Sequence, residues 1–169
     1  GYLPSPIVLL GAIAARTQRL RLQIAALVLP LNDPLRVAED LAVLDILSGG
    51  RVALVVVAGY VPAEFAMFDR ALADRPALVE EGIGVLKRAW TGEPFVYRGR
   101  SVRITPRPLQ RPRPPILLGG SSPAAARRAA RIADGFVPAV KGVYADYLRE
   151  LSRLGASAPP GGGQGPLFL

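Results

Sequence analysis

Two hydrophobic periods alternate along this chain. In residues 5–18, Ile7, Leu10, Ile13 and Ala14 recur at helical spacing, which predicts a helix. Residues 20–29, LRLQIAALVL, become apolar throughout and read as a strand covered on both faces. Asp33-Pro34 has the form of an N-cap followed by proline at the first helical position. Val37, Leu41, Leu44 and Leu47 then mark one helix face, and Ser48-Gly49-Gly50 ends it. Residues 51–57, RVALVVV, form the next buried strand, followed by a loop with Gly59, Pro62 and Phe65. Asp74 is expected to cap a helix over 75–91 with Val79, Ile83, Leu86 and Trp90 on its apolar face, stopped by Gly92.

The second half is shorter in period. Residues 95–97 and 101–104 flank Arg98-Gly99-Arg100 as a small hairpin. A Pro/Arg-rich connector covers 105–115. Ile116-Leu117-Leu118 is a short strand running into Gly119-Gly120-Ser121-Ser122, and Pro123 opens a helix to about Ile132. Phe136-Val137 is a further strand, and 143–154 the last helix. Repeated strand–helix units with buried strands predict an α/β fold with a parallel sheet, either doubly wound or a (β/α)8 barrel. No GxGxxG follows a strand and no GxxxxGK[ST] occurs, which weakens the nucleotide-binding doubly wound folds.

Composition narrows the chemistry. The 169 residues contain no Cys and no His. Disulfides, thiolate metal sites, Ser-His-Asp hydrolysis and an imidazole base are therefore excluded within this chain. The formal net charge is +8, and all but Lys87 and Lys141 of the 21 basic residues are arginine. Six lie close together: Arg98, Arg100, Arg103, Arg107, Arg111 and Arg113. They read either as a solvated connector or as a phosphate-binding patch for nucleic acid. No aromatic residues interleave after Tyr97, so base stacking is unsupported. No apolar run reaches membrane-spanning length, and 3–15 lacks a basic lead-in for a secretory signal; the expectation is a cytoplasmic protein.

Four ordered stretches carry a resemblance. They are Ala14-Ala15-Arg16-Thr17 through Arg19-Leu20-Arg21-Leu22 to Val28-Leu29-Pro30-Leu31 and Pro34; Leu44-Asp45-Ile46-Leu47-Ser48-Gly49-Gly50-Arg51 with Ala58-Gly59-Tyr60; Glu64-Phe65 with Trp90-Thr91-Gly92-Glu93-Pro94 and Tyr97-Arg98-Gly99-Arg100; and Pro112–Ile116, Gly119–Pro123, Arg128–Ala130 and Ala133-Asp134-Gly135-Phe136. Together, across 4–138, they resemble the bacterial-luciferase-like monooxygenases. The resemblance implies a partial (β/α)8 TIM barrel corresponding to the third to sixth strands, within a domain over 1–156 followed by a loose Gly/Pro-rich tail, 157–169. Because a whole barrel takes about 250 residues, it also implies a central fragment, with the initial Gly as a cut end.

The resemblance further implies FMN or coenzyme F420 as cofactor, a small-molecule substrate, and any acid or base supplied from strands outside this chain. Its cofactor-binding positions fall at three strand ends. Ala25-Ala26 would carry a bulge with a non-prolyl cis peptide behind the cofactor ring. Ala58-Gly59 would line the second strand end, where Val55 and Val57 stand in place of smaller residues and Ala58 offers no cation. Gly119, Gly120, Ser121 and Ser122 would hold the cofactor phosphate at a helix N-terminus; Ser122-Pro123 alone also satisfies an ordinary helix cap. Asp33 reads as an N-cap, and Asp45 and Arg51 as a clasp at the opposite end of the barrel. Two further readings stay open: a non-catalytic half-barrel that associates with itself as a homo-oligomer, and an Arg-rich nucleic-acid-binding module.

Overall fold

The computed structural model describes residues 5–158. The expected tail lies outside them from 159 onward. Its elements in chain order are α1 (Pro6–Arg16), β1 (Leu22–Val28), α2 (Pro34–Ser48), β2 (Val52–Val57), α3 (Pro62–Met67), α4 (Arg75–Ala89), β3 (Phe95–Tyr97), β4 (Arg100–Val102), β5 (Ile116–Gly120), α5 (Pro123–Ile132), β6 (Gly135–Pro138) and α6 (Val143–Arg153). Four strands pair in the order β1-β2-β5-β6, all parallel, while β3 and β4 form a separate antiparallel hairpin.

This order decides between the two architectures left open by the sequence. Strands are added in one direction only, with no reversal. Right-handed crossovers then place every connecting helix on the same face. A doubly wound sheet reverses direction and takes helices on both faces. One-sidedness is visible in the packing. Leu22, Ile24, Val52, Leu54, Val56, Ile116, Leu118 and Phe136 share a single core with residues of α1, α2, α4, α5 and α6. The alternate strand residues Ala53, Val55 and Val137 are buried but lie outside that core, on the inner face. The sheet is half of a barrel wall.

Local causes match most expectations. The Asp33 carboxylate accepts from Leu35 N at 2.8 Å and Arg36 N at 3.2 Å, capping α2. Gly49 closes that helix at φ 69°, in the left-handed region. Two expectations need correction. The loop after β2 contains α3, a short helix opened by Pro62 with Phe65 buried beneath it. Asp74 makes no side-chain cap: a 3-10 turn over Leu72–Asp74 feeds directly into α4, so the backbone at Asp74 is already helical.

Polar clamps concentrate at the N-terminal ends of the strands. The Arg51 guanidinium donates to the carbonyls of Ala14, Thr17, Leu20 and Ser48 and to Thr17 Oγ1, tying α1, α2 and the α1–β1 link to the start of β2. Asp45, fully buried on α2, accepts from Gln110 N at 2.8 Å and from Gln110 Nε2 at 2.6 Å. Gln110 Nε2 also donates to Val52 O. The expected Asp45–Arg51 clasp is thus two separate clamps, one of which pins the connector. Arg113 holds Asp134 with both terminal nitrogens, and Asp134 also accepts from Ile116 N.

Candidate functional site

Because the four strands are parallel and in sequence order, their C-terminal ends share one rim. Two of the three predicted groups of residues meet this rim, and the third, Ala25-Ala26, lies in the wall below it. Ala25 and Ala26 lie at an irregularity in β1: Ala25 pairs with Val55, then Leu27 with Val56, leaving Ala26 as the extra residue of a bulge. The Ala25–Ala26 peptide is cis. Ala26 is exposed and Ala25 half-buried, so this stretch of wall presents only methyl groups.

Ala58 and Gly59 leave β2 at the neighbouring rim position, both half-buried. Gly59 has φ 77°, and a Cβ there would stand 2.7 Å from Val28 Cγ1 and 2.9 Å from Phe65 Cε2. The glycine is therefore required twice, by its backbone angle and by the closeness of β1 and α3. Tyr60, Met67 and Phe68, in the segment that follows it, are exposed.

Gly119, Gly120, Ser121 and Ser122 close β5. Gly119 belongs to the inner face: a Cβ there would stand 2.9 Å from Val57 Cγ1 and 3.3 Å from Val55 Cγ1. Gly120 faces the helices, and its Cβ would fall 2.5 Å from Ala125 Cβ. That glycine lets α5 close on the sheet. Ser122 caps α5, its Oγ accepting from Ala125 N at 3.2 Å, while Ser121 is exposed beside it. The turn thus aims the first-turn N–H groups of a ten-residue helix at the rim, with two hydroxyls next to them.

Other charged groups lie elsewhere. Four of the six connector arginines have intramolecular partners. Arg98 stacks on Tyr97 and approaches Glu81, Arg103 donates to Gly92 O, Arg111 to Pro108 O, and Arg113 pairs with Asp134. Of the six, Arg98 and Arg113 thus face a carboxylate, while Arg103 and Arg111 donate to backbone carbonyls and keep their charge. Burial pushes the Asp134 carboxyl up, but the Arg113 hydrogen bonds, the Ile116 N–H and the charges of Arg113 and Lys87 hold it below its ordinary value. Lys87 is lowered by burial and by Arg113, and donates to Ile132 O. A cavity of about 440 Å³ lies between α1 and α2, lined by Val8, Asp33, Arg36, Val43 and Leu47, on the helical side rather than the inner face. Among the described residues no cluster could hold a metal ion, and no helix is long and apolar enough to cross a membrane.

The profile of the luciferase-like monooxygenase family matches residues 1–159. The chain belongs to that family. Among its luciferase-like relatives, the FMNH(2)-dependent dimethylsulfone monooxygenase of Pseudomonas putida is 37% identical over 133 residues, covering 74% of this chain and 36% of that protein. The F420-dependent glucose-6-phosphate dehydrogenase of Nakamurella multipartita is 34% identical over 145 residues, covering 81% of this chain and 42% of that protein. The crystal structure of monooxygenase RslO1 from Streptomyces bottropensis superposes with a TM-score of 0.83 at 33% identity, over 94% of this chain and 53% of that one. The chain therefore spans about half of a solved luciferase-like barrel, and less of the curated relatives. Both cofactor types anticipated from the motifs occur among these relatives' names.

Sequence reasoning missed Gln110 and the Arg113–Asp134 clamp as structural partners. A buried Asp on the apolar side of a predicted helix was the available signal for the first, since such a carboxylate must find donors.

Proposed function

We propose that this chain forms the cofactor-side half of an FMN- or F420-dependent oxidoreductase acting on a small organic substrate. The observation that carries the reading is one parallel sheet whose wall is bulged and methyl-lined at Ala25-Ala26 and whose C-terminal rim carries the Ser-rich helix N-terminus at Ser121-Ser122. A planar ring needs a wall without protruding side chains. A phosphate needs convergent N–H and hydroxyl donors. The residues present fit both needs, save that the inner face of Gly119 is covered by Val57.

In this arrangement Ala25 and Ala26 back the ring, Ala58 and Gly59 pass beneath it, and Ser121, Ser122 and the first turn of α5 hold the phosphate. A bound flavin or deazaflavin supplies the redox chemistry; the protein orients it and limits water. Exposed Tyr60, Met67 and Phe68 furnish an apolar border on the substrate side.

The test is fluorescence titration of the purified chain with FMN, riboflavin and coenzyme F420. The expected result is quenching by FMN or F420, with riboflavin weaker because it lacks the phosphate. Ser121→Ala should narrow the FMN–riboflavin gap without changing the melting temperature, since Ser121 makes no cap. Equal and negligible quenching by all three ligands overturns the reading. A second reading is a non-catalytic half-barrel that associates with itself, favoured by the helices covering only one sheet face.

A further inference from the structure

The strand order has a consequence for any ligand that spans the rim. The wall at Ala25-Ala26 belongs to β1 and the turn 119–122 to β5, and β2 lies between them. A molecule with its ring at one and its phosphate at the other must cross the end of β2. The inner-face residue at that end is Val57, partnered in register with Val28. Its Cγ1 lies 2.9 Å from where a Gly119 Cβ would be, and Val55 adds a second methyl 3.3 Å from the same point. The bare backbone that a glycine would offer a ligand here is already occupied by valine methyls. Gly120 cannot substitute, because its free side is filled by Ala125 on the helical face.

We propose that Val57 limits how tightly this site holds its ligand: its side chain, standing over Gly119 between the ring wall and the phosphate turn, obstructs ring-bearing phosphates that bridge the two. This rests on the cofactor reading above. A valine side chain carries no polar atom, so its influence is purely steric. Shortening it should act on affinity for the bridging ligand, not on the recognition of phosphate by itself.

The experiment compares wild type, Val57→Ala and Val57→Gly by fluorescence titration with FMN and with coenzyme F420. A parallel stability cycle uses Gly119→Ala in the wild-type and Val57→Gly backgrounds. Dissociation constants are expected to fall from wild type to Val57→Ala, which removes two carbons, to Val57→Gly, which removes three, by about ten-fold or more overall, since a single methylene in a pocket is already worth about that much. In the stability cycle, Gly119→Ala should lower the melting temperature in the wild-type background and much less in the Val57→Gly background, because the clash is with the valine. Equal affinities across the three proteins, with binding present, overturn the gate and leave the cofactor reading standing. No binding by any of them overturns both. A Gly119→Ala penalty identical in the two backgrounds also overturns the gate, since the valine would then not be what fills that space.

Discussion

Single residues in this half-barrel are constrained chiefly by their nearest neighbours. Gly59, Gly119 and Gly120 all sit at the rim, yet each lacks a side chain for a different reason: a positive φ between β1 and α3, the methyls of Val57, and the closing of α5. Asp134 shows the same dependence through charge. Its carboxylate meets Arg113 and the Ile116 N–H, and its native pKa is depressed below the ordinary 3.8. Unfolding at neutral pH surrenders those partners, so the stabilisation is fully present above the unfolded value. It is lost as pH falls through the native one. Asp134→Asn should therefore lower stability at pH 7, and the gap between mutant and wild type should begin to close below the ordinary carboxylate value of 3.8 and go on closing as the pH falls through the depressed native one. Urea unfolding at a series of pH values measures this; a mutant penalty that does not shrink at all as the medium is acidified would show that Asp134 contributes by packing instead.

At the scale of elements, Arg51 joins more segments than any other described side chain noted above, reaching α1, α2 and the α1–β1 link from the start of β2. Its planar fork serves several carbonyls at once, which one ammonium cannot. Arg51→Lys should consequently fail to rescue Arg51→Ala, with both losing about 2–4 kcal/mol by thermal or chemical denaturation, because the abandoned carbonyls are partly buried. A Lys variant of native stability would mean that charge alone matters there. The strands and major helices were legible in the sequence because runs such as RVALVVV and the Asp33-Pro34 start encode burial and capping locally. What was not legible came from distant contacts. Proline and glycine near 59–62 read as a loop because they break patterns, whereas Pro62 opens α3 and Phe65 anchors it from within the fold. Asp74 has the composition of a cap but not the backbone, since the preceding turn is already helical. The rim positions followed from family resemblance, while the Val57–Gly119 contact depends on two strands far apart in the sequence being neighbours in the sheet.

At the largest scale the described residues form a one-sided layer. The helices that share the single core pack on the outer face, the inner face carries Val55 and Val137, buried, with Val57 and Leu117, half-buried, and among the described residues β1 and β6 each pair on one side only. Such edges and apolar faces favour association. Light scattering on the 17.9 kDa chain should show a mass that rises with concentration, with binding of a hydrophobic dye that falls as it does. A compact monomer that ignores the dye would show that the inner valines seal the face by themselves.

The clamps made by Arg51, Asp45–Gln110, Arg113–Asp134 and Lys87 all gather at the end of the sheet opposite the rim. Stability and ligand contact are thereby assigned to different ends of the same strands. At the rim, drift is open to the side chains that nothing packs against, while Gly59, Gly119 and Gly120 stay fixed. A lineage, or a library randomising Ala58, Tyr60 and Ser121, can explore new ligands while the far end keeps the layer together.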